Sequence, residues 1–318
     1  MMNPSEPPPG LCDDLDVLAF ASARQEQGEA VALATIVGVE GPFSRPLGAQ
    51  LAVTAGGDYR GSISGGCLEQ ALVEEAQQAI ETRTSRFLRY GVGSPFVDVR
   101  LPCGGGLDIY LDAAPDPEVL KTCCDLARER TPFRLAIPGL VEGDRMAILA
   151  QGSAAISQDH GRLFQPRLCV LAAGRGWELV ALSALCRAIG VEAIVASQEA
   201  STREICTSSA SRVIPLTTPD HLPDFALDAS TAVACLFHEH EWDAPVISAA
   251  LQSDAFYIGA LGSQKTHAQR LVTLEALGHG ASDLARLSAP IGLFRAQAPQ
   301  AVAVSVISEI LARRTGNS

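Results

Sequence analysis

The sequence is poor in aromatic residues, 5% of 318, and modest in charge, 19%; its bases are in deficit, 24 Lys and Arg against 36 Asp and Glu, for a formal net charge of -12. That acidic balance works against a phosphate backbone or an anionic bilayer, so neither a nucleic acid nor a membrane partner is expected. No run approaches the roughly 18 apolar residues of a membrane span. The opening MMNPSEPPPG lacks the basic start and apolar run of a secretory signal. A cytoplasmic location is the expectation. The nine cysteines are odd in number, scattered and without the paired CxxC spacing of a zinc site or the density of a disulfide scaffold, so most are expected to be reduced thiols.

Hydrophobic residues make up 47% of the chain, enough for a sizeable core in about two domains. Leu15, Leu18, Ala19 and Ala23 predict a first amphipathic helix. Strands are predicted at 31–39, 50–54 and 59–63, with Gly56 and Gly57 turning the second into the third. Helical spacing runs from Cys67 to Ile80, and strands at 96–101 and 107–111 bracket a second glycine cluster. A helix over 116–130 and short strands at 133–137, 146–149 and 154–156 follow. A polar run over 158–165 is taken as the boundary, giving domains at 11–158 and 166–318 with the chemistry expected within 31–112. Beyond it, strands at 168–172, 193–196, 232–237 and 257–260 alternate with helices, the pattern of a parallel sheet covered on both faces. The fold class is therefore α/β: a mixed α+β N-terminal domain with glycine-cysteine loops, then a Rossmann-like parallel sheet.

Six clusters carry candidate chemistry. In Ser62-Ile63-Ser64-Gly65-Gly66-Cys67-Leu68-Glu69 a strand passes through two glycines into a helix. Backbone N–H groups there, with the helix N-terminus, suit an anion and favour a thiolate at Cys67. A buried small residue closing a turn is the competing reading. Cys103-Gly104-Gly105-Gly106 repeats the theme, against the alternative of a tight turn. Arg45, in the stiff loop Gly41-Pro42-Phe43-Ser44-Arg45-Pro46, offers a planar fork to a phosphate or is simply a loop charge.

Gly174-Arg175-Gly176-Trp177-Glu178-Leu179 has the setting of a dinucleotide turn, but Leu179 takes the third glycine position, where it should crowd helix against strand. Ser197 also stands where an acid would hold a ribose. His238, Glu239, His240, Glu241 and Asp243 offer metal ligands or proton carriers at a strand end, with His238, His240 and Asp243 the metal candidates. Gly262 and Ser263 open another helix after a strand and form a further anion cradle. The remaining seven cysteines read as packing.

These motifs together resemble the XdhC/CoxI family, accessory proteins of xanthine dehydrogenase and related molybdenum hydroxylases. GPFSRPLGAQ at 41–50, GSISGGCLEQALVEEA at 61–76 and LPCGGGLDIYLD at 101–112 carry the N-terminal half of the resemblance. HEHEWDAP at 238–245, YIGALGSQKT at 257–266 and PIGL at 290–293 carry the C-terminal half. The resemblance implies a non-catalytic chaperone that binds the molybdenum cofactor (molybdopterin), protects it, supports its sulfuration together with a cysteine desulfurase, and delivers it to a xanthine dehydrogenase-type apoenzyme. It also implies cofactor binding around Cys67, Cys103, Gly65, Gly66, Gly104, Gly105, Arg45 and Ser64, and it is compatible with a homodimer. The chain departs from the family pattern at Trp177, Leu179, Ser197, Phe294 and Ala296. Two other functions remain open on the sequence. One is a nucleotide- or NAD(P)-dependent oxidoreductase using Gly174, Gly176, Gly262 and Ser263. The other is a persulfide-carrying or metal-binding accessory protein.

Overall fold

The computed structural model describes residues 13–41, 43, 45–66, 68–94, 104–137, 146–149, 160–219, 221–237 and 240–316. The chain divides into two compact units, Met1–Pro166 and Arg167–Ser318.

The first unit opens with helix α1 (Asp14–Glu26), started by a capping box in which Asp13 and Asp16 each accept the other's backbone N–H. Its buried face is Val17, Leu18, Ala21 and Ser22 rather than the expected stripe through Ala19 and Ala23; the bulkier Val17 and Leu18 gain more by burial than two alanines do. Strands β1 (Val31–Glu40), β2 (Gln50–Thr54) and β3 (Tyr59–Gly61) follow, then α2 (Glu69–Thr82), β4 (Arg86–Gly91) and β5 (Gly106–Asp112). They form an antiparallel sheet in the order β3-β2-β1-β5-β4.

β1 is buried on both faces because it lies mid-sheet between two apolar layers. Ala32, Ala34 and Ile36 share one layer with Leu72 and Ala76 of α2, and Val31, Leu33 and Val37 share the other with Val17 and Leu18 of α1. Helix α3 (Pro117–Arg128) adds Leu120 and Cys123 to that second layer. Strands β6 (Phe133–Ile137), β7 (Ala147–Leu149) and β8 (His160–Phe164) make a small antiparallel sheet in the order β7-β6-β8. From residue 160 the polar run that looked like a linker is thus a strand, paired to β6 through Phe133 opposite Phe164. The expected strands at 96–101 and 154–156 lie outside the described residues.

The second unit runs β9 (Cys169–Gly174), α4 (Trp177–Ala188), β10 (Glu192–Ser197), α5 (Ala200–Cys206), β11 (Arg212–Pro215) and β12 (Thr231–Leu236). It continues through α6 (His240–Leu251), β13 (Tyr257–Ala260), α7 (Gln264–Ala276), α8 (Ala281–Leu284), β14 (Leu287–Ser288) and α9 (Pro299–Gly316). All its strand pairs are parallel, in the order β11-β10-β9-β12-β13-β14, the doubly wound arrangement of a Rossmann domain. One face packs Val233, Cys235 and Ile258 with Val246 and Ile247 of α6; the other packs Val170, Ala172 and Ala234 with Leu179 and Leu182 of α4 and Val306 and Ile310 of α9. Leu179 does not hold the helix off the sheet as its size suggested. It is fully buried in a layer whose strand residues are largely alanine and valine, and these leave it room. Among the described residues no helix is long and apolar enough to cross a membrane.

Candidate functional site

Strand direction points three of the sequence clusters toward one end of the five-stranded sheet. β1 finishes at Glu40, opposite Gly106 at the start of β5, so the loop that leaves at Gly41 and the turn through Gly104 and Gly105 share that end. They touch: a Cβ on Gly41 would lie 3.4 Å from the Gly105 backbone. β3 runs toward the same end, with Gly61 opposite Leu51, and it feeds directly into residues 62–68. β3 and β5 are three strand positions apart, about 14 Å across the sheet at the usual strand spacing, and Gly61, level with Ala34 and Leu111 through Leu51, stops short of Gly106 along the strands. Cys67 and Cys103 themselves lie outside the described residues.

The turn after β3 holds an anion, and the chain supplies that anion itself. The Glu69 carboxylate, at the first position of α2, lies in the centre of residues 62–68. Its Oε1 accepts from Ser62 Oγ (2.9 Å) and from the N–H groups of Ile63 (3.0 Å), Ser64 (2.9 Å) and Gly65 (3.1 Å). Its Oε2 accepts from Ser64 Oγ (2.6 Å) and from the N–H groups of Gly66 (2.7 Å) and Leu68 (3.2 Å). The two serine hydroxyls in turn accept from the Gly65 and Leu68 N–H groups, at 3.1 and 2.8 Å.

Burial by itself would push this carboxyl up. The hydrogen bonds from the Ser64 side chain and backbone and from Ser62 outweigh it and hold the group at about 2. Gly65 and Gly66 sit at φ of +77° and +119°, with no atom within 4 Å of where a Cβ would stand, so they serve the curl of the backbone and present an open, exposed surface.

The other candidates are placed as follows. Arg45 is half-buried and acts on Asp14 at the start of α1: burial raises the Asp14 carboxyl, while Arg162, the Gln50 N–H and Arg45 oppose the rise. Gly104 is exposed at φ +68°, and the Gly105 carbonyl accepts the Val92 N–H at 3.1 Å.

In the second unit Gly174 serves packing: a Cβ there would stand 2.6 Å from the Leu236 carbonyl oxygen of the neighbouring strand. Gly176 donates its N–H to Thr202 Oγ1 (3.1 Å), and Ser197 is fully buried with its Oγ accepting the Glu199 N–H. Gly262 and Ser263, in contrast, line a cavity of about 1310 Å³. Asp243 is committed elsewhere: it is buried, its Oδ2 accepts Arg270 Nε at 2.6 Å and its Oδ1 accepts the Cys235 thiol at 3.1 Å. His238 and the His240 side chain lie outside the described residues, among which no group of three His, Cys, Asp or Glu is placed to hold a metal.

Six cysteines are described, five of them buried. Burial pushes the Cys123 and Cys186 thiols up to about 12 and carries Cys235 well above its usual value, so these are packing groups rather than nucleophiles. Sequence reasoning gave Glu69 no role, although serines and glycines before a helix that starts with an acid form a capping pattern.

A Rossmann unit preceded by an antiparallel domain with clustered glycine turns defines the class, and the comparisons name it. Residues 24–91 match the XdhC and CoxI family and residues 170–310 match the XdhC Rossmann domain. The chain belongs to the XdhC and CoxI family. It is 31% identical over 304 residues to the molybdenum cofactor insertion chaperone PaoD of Escherichia coli, covering 95% of this chain and 89% of that protein. It is 25% identical to a protein of Bacillus subtilis named as a probable xanthine dehydrogenase subunit, over 91% of this chain and 94% of that one. A crystal structure described as a xanthine dehydrogenase from Bacillus halodurans shares the fold at 21% identity, with a TM-score of 0.78 over 96% of this chain and 97% of that one.

Proposed function

We propose that this protein is a molybdenum cofactor chaperone for a xanthine dehydrogenase-type hydroxylase. It binds the pterin cofactor, shields it, supports exchange of a terminal oxo ligand for sulfido together with a cysteine desulfurase, and delivers the product to the apoenzyme. The observation that carries this reading is the correspondence, along 95% of the chain, with a protein named as a molybdenum cofactor insertion chaperone. The strand directions support it, because the turn after Gly61 and the turn before Gly106 both lie toward the same end of the sheet.

The donor set fits the metal better than the phosphate. Thiolates are soft ligands suited to a molybdenum centre. The amides of Ile63, Ser64, Gly65, Gly66 and Leu68 already serve Glu69, so within this turn the phosphate of the pterin has no ready cradle. The role of the turn is then to hold the chain on both sides of Cys67 in a fixed curl, with Gly65, Gly66, Gly104 and Gly105 giving close access.

Purified protein is expected to retain the cofactor through gel filtration. Cys67→Ala and Cys103→Ala should each weaken that retention at least tenfold, about 1.4 kcal/mol. Pterin fluorescence of the oxidised eluate measures it, and wild-type-like retention by the double variant would overturn the thiolate role.

A further inference from the structure

The cavity in the second unit lies beyond the carboxyl end of β13. It is bounded by the turn 261–265, by the facing turn 290–297, and by Val302 and Ser305 of α9. We propose that it binds a phosphorylated planar heterocycle, with the phosphate at Ser263–Lys265 and the ring against Phe294.

Charge is the first argument. In a chain of 36 acids no carboxylate among the described residues lines this cavity, whereas Lys265 and Arg295 both do. Among the described residues neither cation is in an ion pair, while Arg24, Arg86, Arg89, Arg162 and Arg270 are each engaged with a carboxylate. Two cations on one concave wall, neither engaged with a described carboxylate, make a local positive potential that the net charge of the protein does not cancel.

The floor under the phosphate position is the second argument. Arg270 is buried, donates through Nη2 to the Leu261 carbonyl at 2.7 Å, and brings that nitrogen to 3.5 Å from where a Cβ on Gly262 would stand. The Nη2 edge of the guanidinium thus lies behind the glycine wall, while Nη1 is buried with no hydrogen-bond partner among the described residues. Above it, α7 begins with thirteen residues of aligned peptide dipoles, its cap Ser263 accepting the Thr266 N–H at 3.2 Å. Arg270 is held to Asp243 and Leu261 behind that wall, and it is the N-terminus of α7, beside Lys265, that favours an anion on the cavity side of Ser263.

The ring end is the third argument. Leu293 and Phe294 line the cavity with 61% and 49% of their surface exposed, although the backbone that carries them is fixed. The Gly292 N–H donates to Glu309 Oε2 at 2.5 Å, the Phe294 N–H donates to Ser305 Oγ at 2.9 Å, and that hydroxyl returns a bond to the Phe294 carbonyl at 2.6 Å. An aromatic face presented by a rigid turn is a stacking surface that costs little entropy to use. At the first glycine turn of the unit, by contrast, Gly174 abuts Leu236 and the Gly176 N–H is taken by Thr202.

Nucleotides and phosphorylated pterins share this chemistry, and the test separates them. Calorimetric titration of the full chain with AMP, CMP, neopterin monophosphate, the three dephosphorylated parents and inorganic phosphate should give saturable binding for at least one phosphorylated ring. Its parent should bind at least tenfold more weakly. Lys265→Ala/Arg295→Ala should weaken the phosphorylated ligand at least tenfold, and Phe294→Ala should weaken ligand and parent alike, with melting temperatures unchanged. Cys67→Ala/Cys103→Ala protein should titrate as wild type, so the result stands apart from the fate of the chaperone reading. Saturation by a nucleotide or by the pterin identifies the ligand. Absence of saturable heat from every phosphorylated ring, or affinity indifferent to Lys265 and Arg295, overturns the assignment.

Discussion

Glu69→Gln is expected to destabilise the turn after β3 by about 3 kcal/mol at neutral pH, the free-energy equivalent of a carboxyl held at about 2 against an ordinary 4.5. The substitution keeps the shape of the side chain but turns one acceptor into a donor. Whichever oxygen is replaced then faces at least two backbone N–H groups that can only donate, those of Gly66 and Leu68 or those of Ile63, Ser64 and Gly65. Leaving buried donors unmatched costs more than losing the bonds.

The pH dependence has a definite sign. A depressed carboxyl contributes its stability fully above the unfolded value and loses it as pH falls through the folded one. The wild-type protein should therefore lose this contribution between about pH 5 and pH 2, and the Gln variant should show no such component. Hydrogen exchange of the Gly65, Gly66 and Leu68 amides at pH 7 is the direct measurement, with acceleration of about a hundredfold or more expected in the variant. Exchange within threefold of wild type would mean that the curl of the turn is set by its glycines and not by the carboxylate.

That carboxylate marks the limit of what the sequence discloses. The Rossmann order was legible because continuous apolar strands such as Thr231–Leu236 and Tyr257–Ala260 alternate with helices, and burial on both faces is what such runs require. Strand β4 was missed: in Arg86–Gly91 the alternation of Leu88 and Tyr90 inside with Phe87 and Arg89 outside is only two residues deep on each face. The glycine-cysteine turns were visible as motifs, and the serines beside them as hydroxyl donors. Periodicity cannot say which anion such a nest holds, since a phosphate from solution and a carboxylate two residues past the cysteine satisfy the same amides. Only the backbone path decides, and it places Glu69 within reach of seven donors.

Asp243 is the converse case. The run His238 to Asp243 reads as a set of metal ligands or proton carriers, yet the acid nearest the core is turned inward to an arginine 27 positions later. Pairing at that separation is a tertiary fact with no local signature. The same holds for the cavity: Lys265 and Arg295 are 30 residues apart and share a wall because β13 and β14 lie side by side and each strand is followed by a turn at the same sheet edge.

The Asp243–Arg270 pair yields the second large effect. Both side chains are almost wholly buried, with the Arg270 Nε 2.6 Å from the carboxylate and the Cys235 thiol as the other donor to it. Removing one partner from a buried pair leaves a charge in a medium that solvates it poorly, so Arg270→Met alone should cost about 3–5 kcal/mol. Asp243→Asn should cost a similar amount, because the guanidinium then keeps only the Leu261 carbonyl and a neutral amide. The pair as a whole is worth far less than either loss suggests, since its Coulomb attraction is largely offset by the desolvation of both ions. The double variant Asp243→Leu/Arg270→Met should therefore recover most of the stability of the wild type. Trp242 gives a local probe: it precedes Asp243 on α6, is buried, and stacks on Phe237 with centroids 6.4 Å apart. In a Trp177→Phe background, which removes only the exposed indole, urea unfolding followed by Trp242 fluorescence reads the second unit alone. Single variants within about 1 kcal/mol of that background, or a double variant less stable than either single one, would show that water reaches this pair and that α6 and α7 are joined by their apolar layer rather than by the ions.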